Sequence, residues 1–430
     1  MPDPAARPPT ATRSASILGK LGPGLVTGAS DDDPSGIATY SQVGAQFGYG
    51  MLWTMLFSYP LMAAIQEISG RLGRVSGRGV AGNLRRYYPR ALLYPVVALL
   101  VIANILNLGA DIAAMGSAVK LIAGGPALVY SLLLALISLG LQIWIPYARY
   151  SQVLKWMTLS LFAYVATAFV VRVPWARALQ GTFVPSLSWN AAYLTGLLAV
   201  LGTTISPYLF FWQASAEVEE MKATHHDRPL RLAPNEAASQ LNRIHVDTFV
   251  GMAFSNLVAF FIILTVAATL HANGTTEIQT ASDAAEALRP LAGNFAFLLF
   301  TFGIVGTGML AVPVLAGSAA YAVSEMMHWK TGLDRKLGKA RRFYGVLAAA
   351  TVVGLALNLI GIDPIKALFW SAVINGIVAS PVMVVMLHMA SNPRVMGGLP
   401  VPPWLRRTGW VAAIVMLACA AGLFATWGLG

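Results

Sequence analysis

Apolar stretches long enough to cross a lipid bilayer follow one another along the chain, separated by short polar segments. A transmembrane helix needs about 20 predominantly apolar residues. Eleven stretches meet this length, and we predict helices near 18–45, 49–69, 92–119, 126–146, 152–172, 191–216, 246–271, 292–327, 343–361, 365–390 and 408–428. Residues 17–428 are therefore predicted to form one transmembrane domain, preceded at residues 1–16 by a disordered cytoplasmic tail rich in Pro, Ala, Ser and Thr.

The composition predicts an all-α integral membrane protein. Only 11% of the 430 residues are charged and 57% are apolar, whereas a soluble domain carries about 25% charged residues. Most of the protein surface must therefore face lipid. The single cysteine, Cys419, allows no intrachain disulfide.

The basic residues indicate the orientation in the membrane. Cytoplasmic loops of membrane proteins carry an excess of Lys and Arg. With the N-terminus in the cytoplasm, 24 of the 29 Lys and Arg residues fall on the inner side. We therefore expect a bacterial inner (plasma) membrane protein with its N-terminus inside and its C-terminus outside. The net charge of +11 then belongs to loops that contact anionic lipid, and no nucleic-acid partner is expected.

The first predicted helix is interrupted by three consecutive carboxylates, Asp31, Asp32 and Asp33, followed by Pro34 and Gly36. Carboxylates are costly in hydrocarbon and are expected to face a cavity or a cation. Pro34 removes a backbone donor and clashes with the preceding turn, which predicts that the helix unwinds here. A loop or a helix cap is the alternative interpretation. Because successive helical residues point about 100° apart, we favour Asp33 as a ligand, with Asp31 and Asp32 lining the approach or pairing elsewhere.

The sixth predicted helix has a similar interruption at Pro207, which follows Ser206 and lies one turn after Thr203. Proline kinks are common in membrane helices, so Pro207 alone is weak evidence for a binding site. It becomes informative because helix 6 is the counterpart of helix 1 in the second half of the chain. Breaks in helices 1 and 6 predict an inverted repeat of five plus five helices, at about 18–172 and 191–390, with an eleventh helix at about 408–428. In such folds the substrate binds near the midplane, between the two breaks.

Several segments resemble, in order, motifs of the natural-resistance-associated macrophage protein (Nramp) family. They are residues 22–24 and 33–36 in helix 1, 66–78 at the end of helix 2, 111–113 in helix 3 and 206–209 in helix 6. The resemblance extends from about residue 20 to residue 390. It implies a LeuT-like fold with discontinuous helices 1 and 6, and transport of a divalent metal ion, commonly coupled to protons.

The resemblance also implies a ligand set. Asp33 retains the family's side-chain ligand in helix 1, whereas Gly36 stands where the family has Asn. In helix 6, Thr203 corresponds to the residue whose carbonyl serves the ion, and Ser206 replaces a methionine. Asn375 lies near the family's metal-facing Gln, although a buried Asn can equally bind a neighbouring helix. Oxygen ligands suit Mg²⁺ and Mn²⁺, and a reduced ligand set leaves the ion partly hydrated, as Mg²⁺ prefers.

A second group of departures concerns proton coupling. The two histidine positions of the family's helix 6 are Tyr208 and Gln213, and Ala114 replaces the Glu that follows the conserved motif of helix 3. Asp111 of that motif is present. Histidine is the side chain that titrates near neutral pH, so its loss predicts weak or absent coupling, although Asp33 and Asp111 could form a minimal relay. These changes resemble the Nramp-related branch associated with magnesium and manganese.

The expected function is alternating-access transport of Mg²⁺ or Mn²⁺ with weak or no proton coupling, by a monomer without a cofactor. Two alternatives stay open. One is a proton-coupled Mn²⁺ or Fe²⁺ transporter of the ordinary Nramp type. The other is a LeuT-like carrier of a small organic substrate, in which residues 31–33 bind an amine or Na⁺. An enzyme is not expected, because the sequence shows no nucleophile–base pair.

Overall fold

The structure is a computed structural model that describes residues 22–145, 156, 159–223, 228–333 and 335–427, and the ordered elements of these residues are helices. The α-helices are α1 (Pro23–Asp31), α2 (Pro34–Phe47), α3 (Trp53–Ser76), α4 (Val80–Tyr87), α5 (Arg90–Ala123), α6 (Ala127–Trp144), α7 (Phe162–Val170), α8 (Trp175–Phe183), α9 (Ala191–Thr204), α10 (Pro207–Ala223), α11 (Ala237–Thr269), α12 (Ala281–Glu286), α13 (Arg289–Ala292), α14 (Ala296–Met327), α15 (Arg341–Leu357), α16 (Pro364–Ala390), α17 (Pro393–Met396) and α18 (Pro403–Trp427).

Within the described residues, eight segments are long and apolar enough to cross a membrane. They correspond to predicted helices 3, 4 and 6–11, and they are Arg90–Ala123, Ala127–Trp144, Ala191–Ala223, Pro234–Asn273, Arg289–Met327, Arg341–Ile360, Pro364–Ala390 and Pro403–Thr426. Predicted helix 1 is divided into α1 and α2, and predicted helix 5 is described as a short apolar helix over Leu159–Val170. The predicted tail at residues 1–16 and the start of helix 5 lie outside the described residues.

Helix α3 extends seven residues beyond the predicted end at residue 69. Its last turns carry the charged residues Glu67, Arg71 and Arg74, so they do not belong to the apolar run that predicts the helix. Arg71 pairs with Glu67 one turn earlier, at 2.6 Å, in an arrangement that stabilises a helix. The helix ends at Ser76 because Gly77 takes a left-handed conformation with a φ of 70°.

Both predicted helix breaks are present. Helix α1 ends at Asp31 and α2 begins at Pro34, with Asp33 as the N-cap whose carboxylate accepts the backbone N–H of Gly36. Helix α9 ends at Thr204 and α10 begins at Pro207. In both cases proline occupies the first position of the new helix, where its missing N–H costs nothing. Asp33 is thus both a helix cap and a carboxylate inside a membrane span, so the two interpretations of the sequence are compatible.

Small residues allow the broken helices to approach their neighbours closely. A Cβ on Gly28 of α1 would overlap the backbone of Gly251 in α11. A Cβ on Gly202 of α9 would overlap the backbone of α16 at Ala372 and Gly376. Close approach through small residues is the usual way in which membrane helices associate. These contacts, together with the packing of α5 against α14 and α16, gather the two breaks at the centre of the helical bundle.

Candidate metal-binding site

The Asp33 carboxylate is fully buried and is held by donors from three parts of the chain. Its Oδ1 accepts the backbone N–H of Gly36 at 2.7 Å. Its Oδ2 accepts the amide N–H of Asn107 from α5 at 3.0 Å and the hydroxyl of Tyr208 from α10 at 3.1 Å. Hydrogen bonds to a carboxylate favour its charged form. These donors are all neutral, so they orient the carboxylate without cancelling its charge.

Asn107 is itself oriented by a second hydrogen bond. Its side-chain carbonyl accepts the hydroxyl of Ser371 from α16 at 2.7 Å. This contact directs the amide N–H groups of Asn107 toward Asp33. A chain of polar side chains therefore connects α16 through α5 to the break in the first span. The sequence placed Asn107 four residues before Asp111, on the same helix face, but did not identify it as a partner of Asp33.

The break between α9 and α10 presents oxygen atoms to the same centre. The Ser206 hydroxyl donates to the carbonyls of Gly202 and Thr203, at 2.7 Å each. The Thr203 carbonyl lacks its helical partner, since that partner would be the N–H of residue 207, a proline. A Cβ on Gly36 would lie 3.2 Å from Oγ1 of Thr203. The two breaks are therefore in contact, and the absence of a side chain at Gly36 allows it.

Three further buried side chains around the breaks have unsatisfied polar atoms. Both amide atoms of Asn375 and Oγ1 of Thr203 have no hydrogen-bond partner in the described part of the chain. The Asp111 carboxylate lies near the backbone N–H of Ser35 and interacts electrostatically with Asp33, but its oxygens do not meet hydrogen-bond geometry. Buried polar groups are nearly always satisfied in native proteins. Unsatisfied groups at one centre indicate that a polar ligand belongs there.

Asp31 and Asp32 point to a different neighbour. Both accept the hydroxyl of Ser255 on α11, at 2.6 Å to Asp31 and 3.1 Å to Asp32. Asp31 is fully buried and Asp32 is 3% exposed. The structure therefore separates the three carboxylates, with Asp33 facing the second break and the other two facing α11. Their predicted role in lining the approach to the site stays a prediction.

Gln213 lies farther along α10 and contacts α1. The Thr27 hydroxyl hydrogen-bonds to Oε1 of Gln213 at 2.5 Å, and both side chains are buried. Gln213 therefore fastens α10 to the first half of the broken span, on the side of the site where α1 begins. It does not hydrogen-bond to Asp33.

The start of α1 is fastened to α11 as well. Asp247 accepts the backbone N–H groups of Gly22 and Gly24, at 2.9 and 2.7 Å. One turn earlier on α11, Arg243 pairs with Glu217 of α10 at 2.5 Å and with Glu220 at 3.2 Å. These bonds close the bundle between α1, α10 and α11. Sequence reasoning missed this network, although an acidic residue beside the start of an apolar segment is a detectable signal.

The described residues contain no cluster of three or more His, Cys, Asp or Glu side chains arranged to hold a metal ion. A cation between the breaks would therefore bind one carboxylate together with neutral oxygens. The available atoms are the carboxylate of Asp33, the carbonyl of Thr203, the hydroxyl of Ser206 and the amide oxygen of Asn375. Each of these residues is at most 1% exposed, so the site is closed to solvent in this conformation.

The chain matches the family described as "Natural resistance-associated macrophage protein-like" over residues 24–426. It belongs to the Nramp family. A curated relative, the divalent metal cation transporter MntH of Klebsiella pneumoniae (strain 342), is 27% identical over 416 residues, which cover 93% of this chain and 92% of the relative. MntH of Pectobacterium carotovorum (strain PC1) is 26% identical over 414 residues, with the same coverage of both chains.

Solved structures agree with the Nramp assignment at the level of the fold. The Eremococcus coleocola manganese transporter, in complex with an aromatic bis-isothiourea substituted compound, has a TM-score of 0.73 and 17% identity, covering 98% of this chain and 88% of its own. The inward-facing conformation of Mhp1 has a TM-score of 0.51 and 12% identity, covering 97% and 92%. The predicted all-helical, LeuT-like architecture is confirmed.

Proposed function

We propose that this Nramp-family chain is a secondary transporter that carries a divalent metal cation, Mg²⁺ or Mn²⁺, bound between the two helix breaks. The observation that carries the proposal is the fully buried carboxylate of Asp33 at the point where the breaks meet, with only neutral hydrogen-bond partners. An unpaired buried charge is strongly destabilising. A cation bound at this point would supply the positive charge that the Asp33 carboxylate lacks. When the cation leaves, the carboxylate is again unpaired and can bind another cation, as transport requires.

The atoms around Asp33 favour a hard cation. Ser206 offers a hydroxyl oxygen where the family resemblance implies a methionine thioether, and Thr203 and Asn375 add neutral oxygens. Hard cations such as Mg²⁺ and Mn²⁺ prefer oxygen ligands, whereas thioethers select softer metals. Gly36 contributes no side chain, which leaves coordination positions for water. The relatives named as divalent metal cation and manganese transporters support the cation class.

The contacts that close the site support an alternating-access mechanism. The hydrogen bonds of Asp247 to the start of α1 and the ion pairs of Arg243 with α10 seal one side. Release of the ion on that side requires α1 to separate from α11. The distribution of Lys and Arg indicates that this side is cytoplasmic. The described contacts thus supply the closed state of a carrier whose inner gate consists of α1, α10 and α11.

Weak or absent proton coupling is the second part of the proposal. The hydrogen-bond partners of Asp33 are an amide, a phenol and a backbone N–H, none of which titrates near neutral pH. His245 hydrogen-bonds to Glu67, and His271 bonds to the backbone of Ala45, so neither contacts Asp33. Among the described residues, the hydrogen bonds of Asp33 therefore involve no histidine.

The proton-coupled Mn²⁺ or Fe²⁺ transporter is the alternative that a specific observation favours. Asp111 lies close enough to Asp33 for their charges to interact, and its carboxylate makes no regular hydrogen bond. Two interacting carboxylates can share a proton. The carrier of a small organic substrate has no comparable support, because family membership and the buried carboxylate of Asp33 both favour a small cation.

Transport by purified protein in liposomes tests the proposal. The vesicles contain fluorescent indicators of metal and pH, and Mn²⁺ is added outside with and without excess Mg²⁺. We expect Mn²⁺ entry that Mg²⁺ inhibits, at a constant lumenal pH. Mn²⁺ entry that ignores Mg²⁺ and acidifies the lumen would establish the proton-coupled alternative instead. No metal entry under any of these conditions contradicts both.

A further inference from the structure

A cavity of about 360 Å³ opens between the ends of α3, α4, α10 and α14. It lies on the side of the protein where α1 begins, at the termini of these helices rather than at the two breaks. Four basic side chains line it, namely Arg78, Arg85, Arg86 and Lys222. Among the described residues, the one acidic side chain in its lining is Glu325. The cavity is therefore strongly positive.

Three guanidinium groups interact at or beside this cavity, of which Arg78 and Arg86 line it and Arg231 does not. Arg231 donates to the hydroxyl of Tyr87 at 3.1 Å, and Arg86 lies over the ring of the same tyrosine, 5.7 Å from its centre. The positive charges of Arg86 and Arg231 both act on Arg78. Burial, and then the charges of Arg86 and Arg231, lower the pKa of Arg78 below its usual value. The positive charges of the three arginines repel one another, so their grouping requires an opposing charge.

Among the described lining residues, Glu325 supplies one negative charge, which acts on Arg78. The Glu325 carboxylate is already bound to the backbone N–H groups of Gly79 and Gly82, at 2.9 and 2.8 Å, at the start of α4. In the described part of the chain, Nη1 of Arg78 and Nε of Arg231 are buried without a hydrogen-bond partner. A buried donor that lost its water without gaining an acceptor is costly. An anion in the cavity would satisfy Arg78, which lines it.

We propose that this cavity binds a phosphate group, through Arg78 and Arg86, which line it. The planar guanidinium matches phosphate oxygens with paired hydrogen bonds, which is why arginine is preferred at phosphate sites. The volume falls within the range of about 300–1,000 Å³ that is usual for small-molecule sites. Two sources share this chemistry: the headgroup of an anionic lipid, which is abundant in the inner leaflet, and a phosphate free in solution.

Occupation of this site would stabilise the closed bundle. The cavity is lined by Val218 and Lys222 of α10, the half-helix that carries Tyr208 at its other end, and by residues of α4 and α14. A ligand that binds one arrangement of these helices shifts the equilibrium toward it. This inference does not depend on the identity of the transported ion.

The thermal unfolding midpoint, Tm, of the purified full-length chain tests the proposal. The protein in neutral detergent is titrated separately with phosphatidylglycerol, phosphatidylcholine and inorganic phosphate. The same titrations are made with Arg86→Gln, whose side chain is exposed, and with Arg78→Gln. Arg394→Gln is the matched control, since it removes an exposed arginine of α17 that does not line the cavity.

We expect phosphatidylglycerol or inorganic phosphate to raise Tm, and phosphatidylcholine not to. Arg86→Gln and Arg78→Gln should each weaken the apparent affinity at least about tenfold, the effect of one charge-assisted hydrogen bond, while Arg394→Gln keeps the wild-type response. A response to the lipid alone identifies a headgroup, and a response to phosphate alone identifies a soluble ligand. The proposal is wrong if neither ligand raises Tm, or if Arg86→Gln responds as the wild type and Arg394→Gln do.

Discussion

The hydroxyl of Tyr208 donates a hydrogen bond to Oδ2 of Asp33 over 3.1 Å, which joins the two helix breaks directly. The two residues are 175 positions apart in the chain. The same oxygen accepts the amide of Asn107, while Oδ1 accepts a backbone N–H. A metal ion bound to this carboxylate therefore competes with, or displaces, part of a preformed set of donors. In the closed site, these neutral donors orient the carboxylate of Asp33, and none of them neutralises its charge.

Tyr208→Phe should strengthen metal binding. The substitution removes a donor that competes with the ion for Oδ2 of Asp33, while the ring keeps its packing. A hydrogen bond to a charged group contributes about 1.5–3 kcal/mol. The remaining donors to Asp33 offset most of the lost hydrogen bond, so we expect the KM for Mn²⁺ to decrease by up to about tenfold. Uptake in liposomes measures it. The control is Tyr59→Phe, whose hydroxyl bonds to the backbone of α11 away from the site. A higher KM in Tyr208→Phe would show that the hydroxyl positions the carboxylate for the metal.

Tyr208→His should make uptake dependent on pH. An imidazole at this position would lie beside Asp33 and would become positively charged below a pH of about 6.5. The added charge repels the metal ion, so uptake should fall as the pH decreases from 8 to 5.5, whereas the wild type should change little from pH 6 to 8. Initial rates of Mn²⁺ uptake at equal inner and outer pH measure this difference. A flat profile in the variant, with protein of normal stability, would place residue 208 outside the reach of the ion.

Ser206→Met should shift selectivity toward softer metals. A thioether would replace the hydroxyl, and sulfur favours transition metals over Mg²⁺. We expect excess Mg²⁺ to inhibit Mn²⁺ uptake at least about tenfold less effectively than in the wild type, and Cd²⁺ to inhibit it more strongly. Ser206→Ala is the control, because it removes the hydroxyl without adding sulfur. Unchanged competition in Ser206→Met would mean that this side chain does not contact the ion.

Asp247→Asn should open the side of the protein where α1 begins. The aspartate holds the first backbone N–H groups of α1 with its negative charge, and an amide accepts them less strongly. Cys419 is the single cysteine, so Cys419→Ser gives a background in which Thr27→Cys is the one thiol. That thiol should react faster with a polar maleimide when Asp247→Asn is added. Asp283→Asn, in a capping box outside the site, serves as the control. Equal rates in all three proteins would show that Asp247 does not hold the gate.

The sequence predicted the positions of both helix breaks because their causes are local. Pro34 and Pro207 cannot donate to the preceding turn, and each begins a new helix in the structure. The placement of Asp33 followed from the same argument, since a carboxylate inside an apolar span needs a special environment. The apolar run ended this helix near residue 69, seven residues before α3 ends, because ion pairs along a helix are not visible to a criterion based on apolar length. The family resemblance had assigned residues 66–78 to the end of this helix.

The partners of the site residues could not be predicted from the sequence. Asn107 reaches Asp33 across 74 residues of the chain, and Ser255 reaches Asp31 across 224. Ser371 in turn reaches Asn107 across 264 residues. Which polar side chains meet depends on how the helices cross, and that depends on close contacts such as Gly28 against Gly251. A polar stripe such as Asn104, Asn107 and Asp111 indicates a face of a helix but not the residue that it faces.

Comparison of Asp33→Asn with the wild type is the most direct test of the account. The substitution keeps the size of the side chain and removes the charge that binds the ion, whereas Glu277→Gln removes an exposed carboxylate from the loop between α11 and α12. Mn²⁺ uptake is measured in liposomes that contain equal amounts of each folded protein. The account predicts that Asp33→Asn lowers uptake at least about tenfold, as expected for a lost charged ligand, and that Glu277→Gln does not. Wild-type uptake by Asp33→Asn would contradict it.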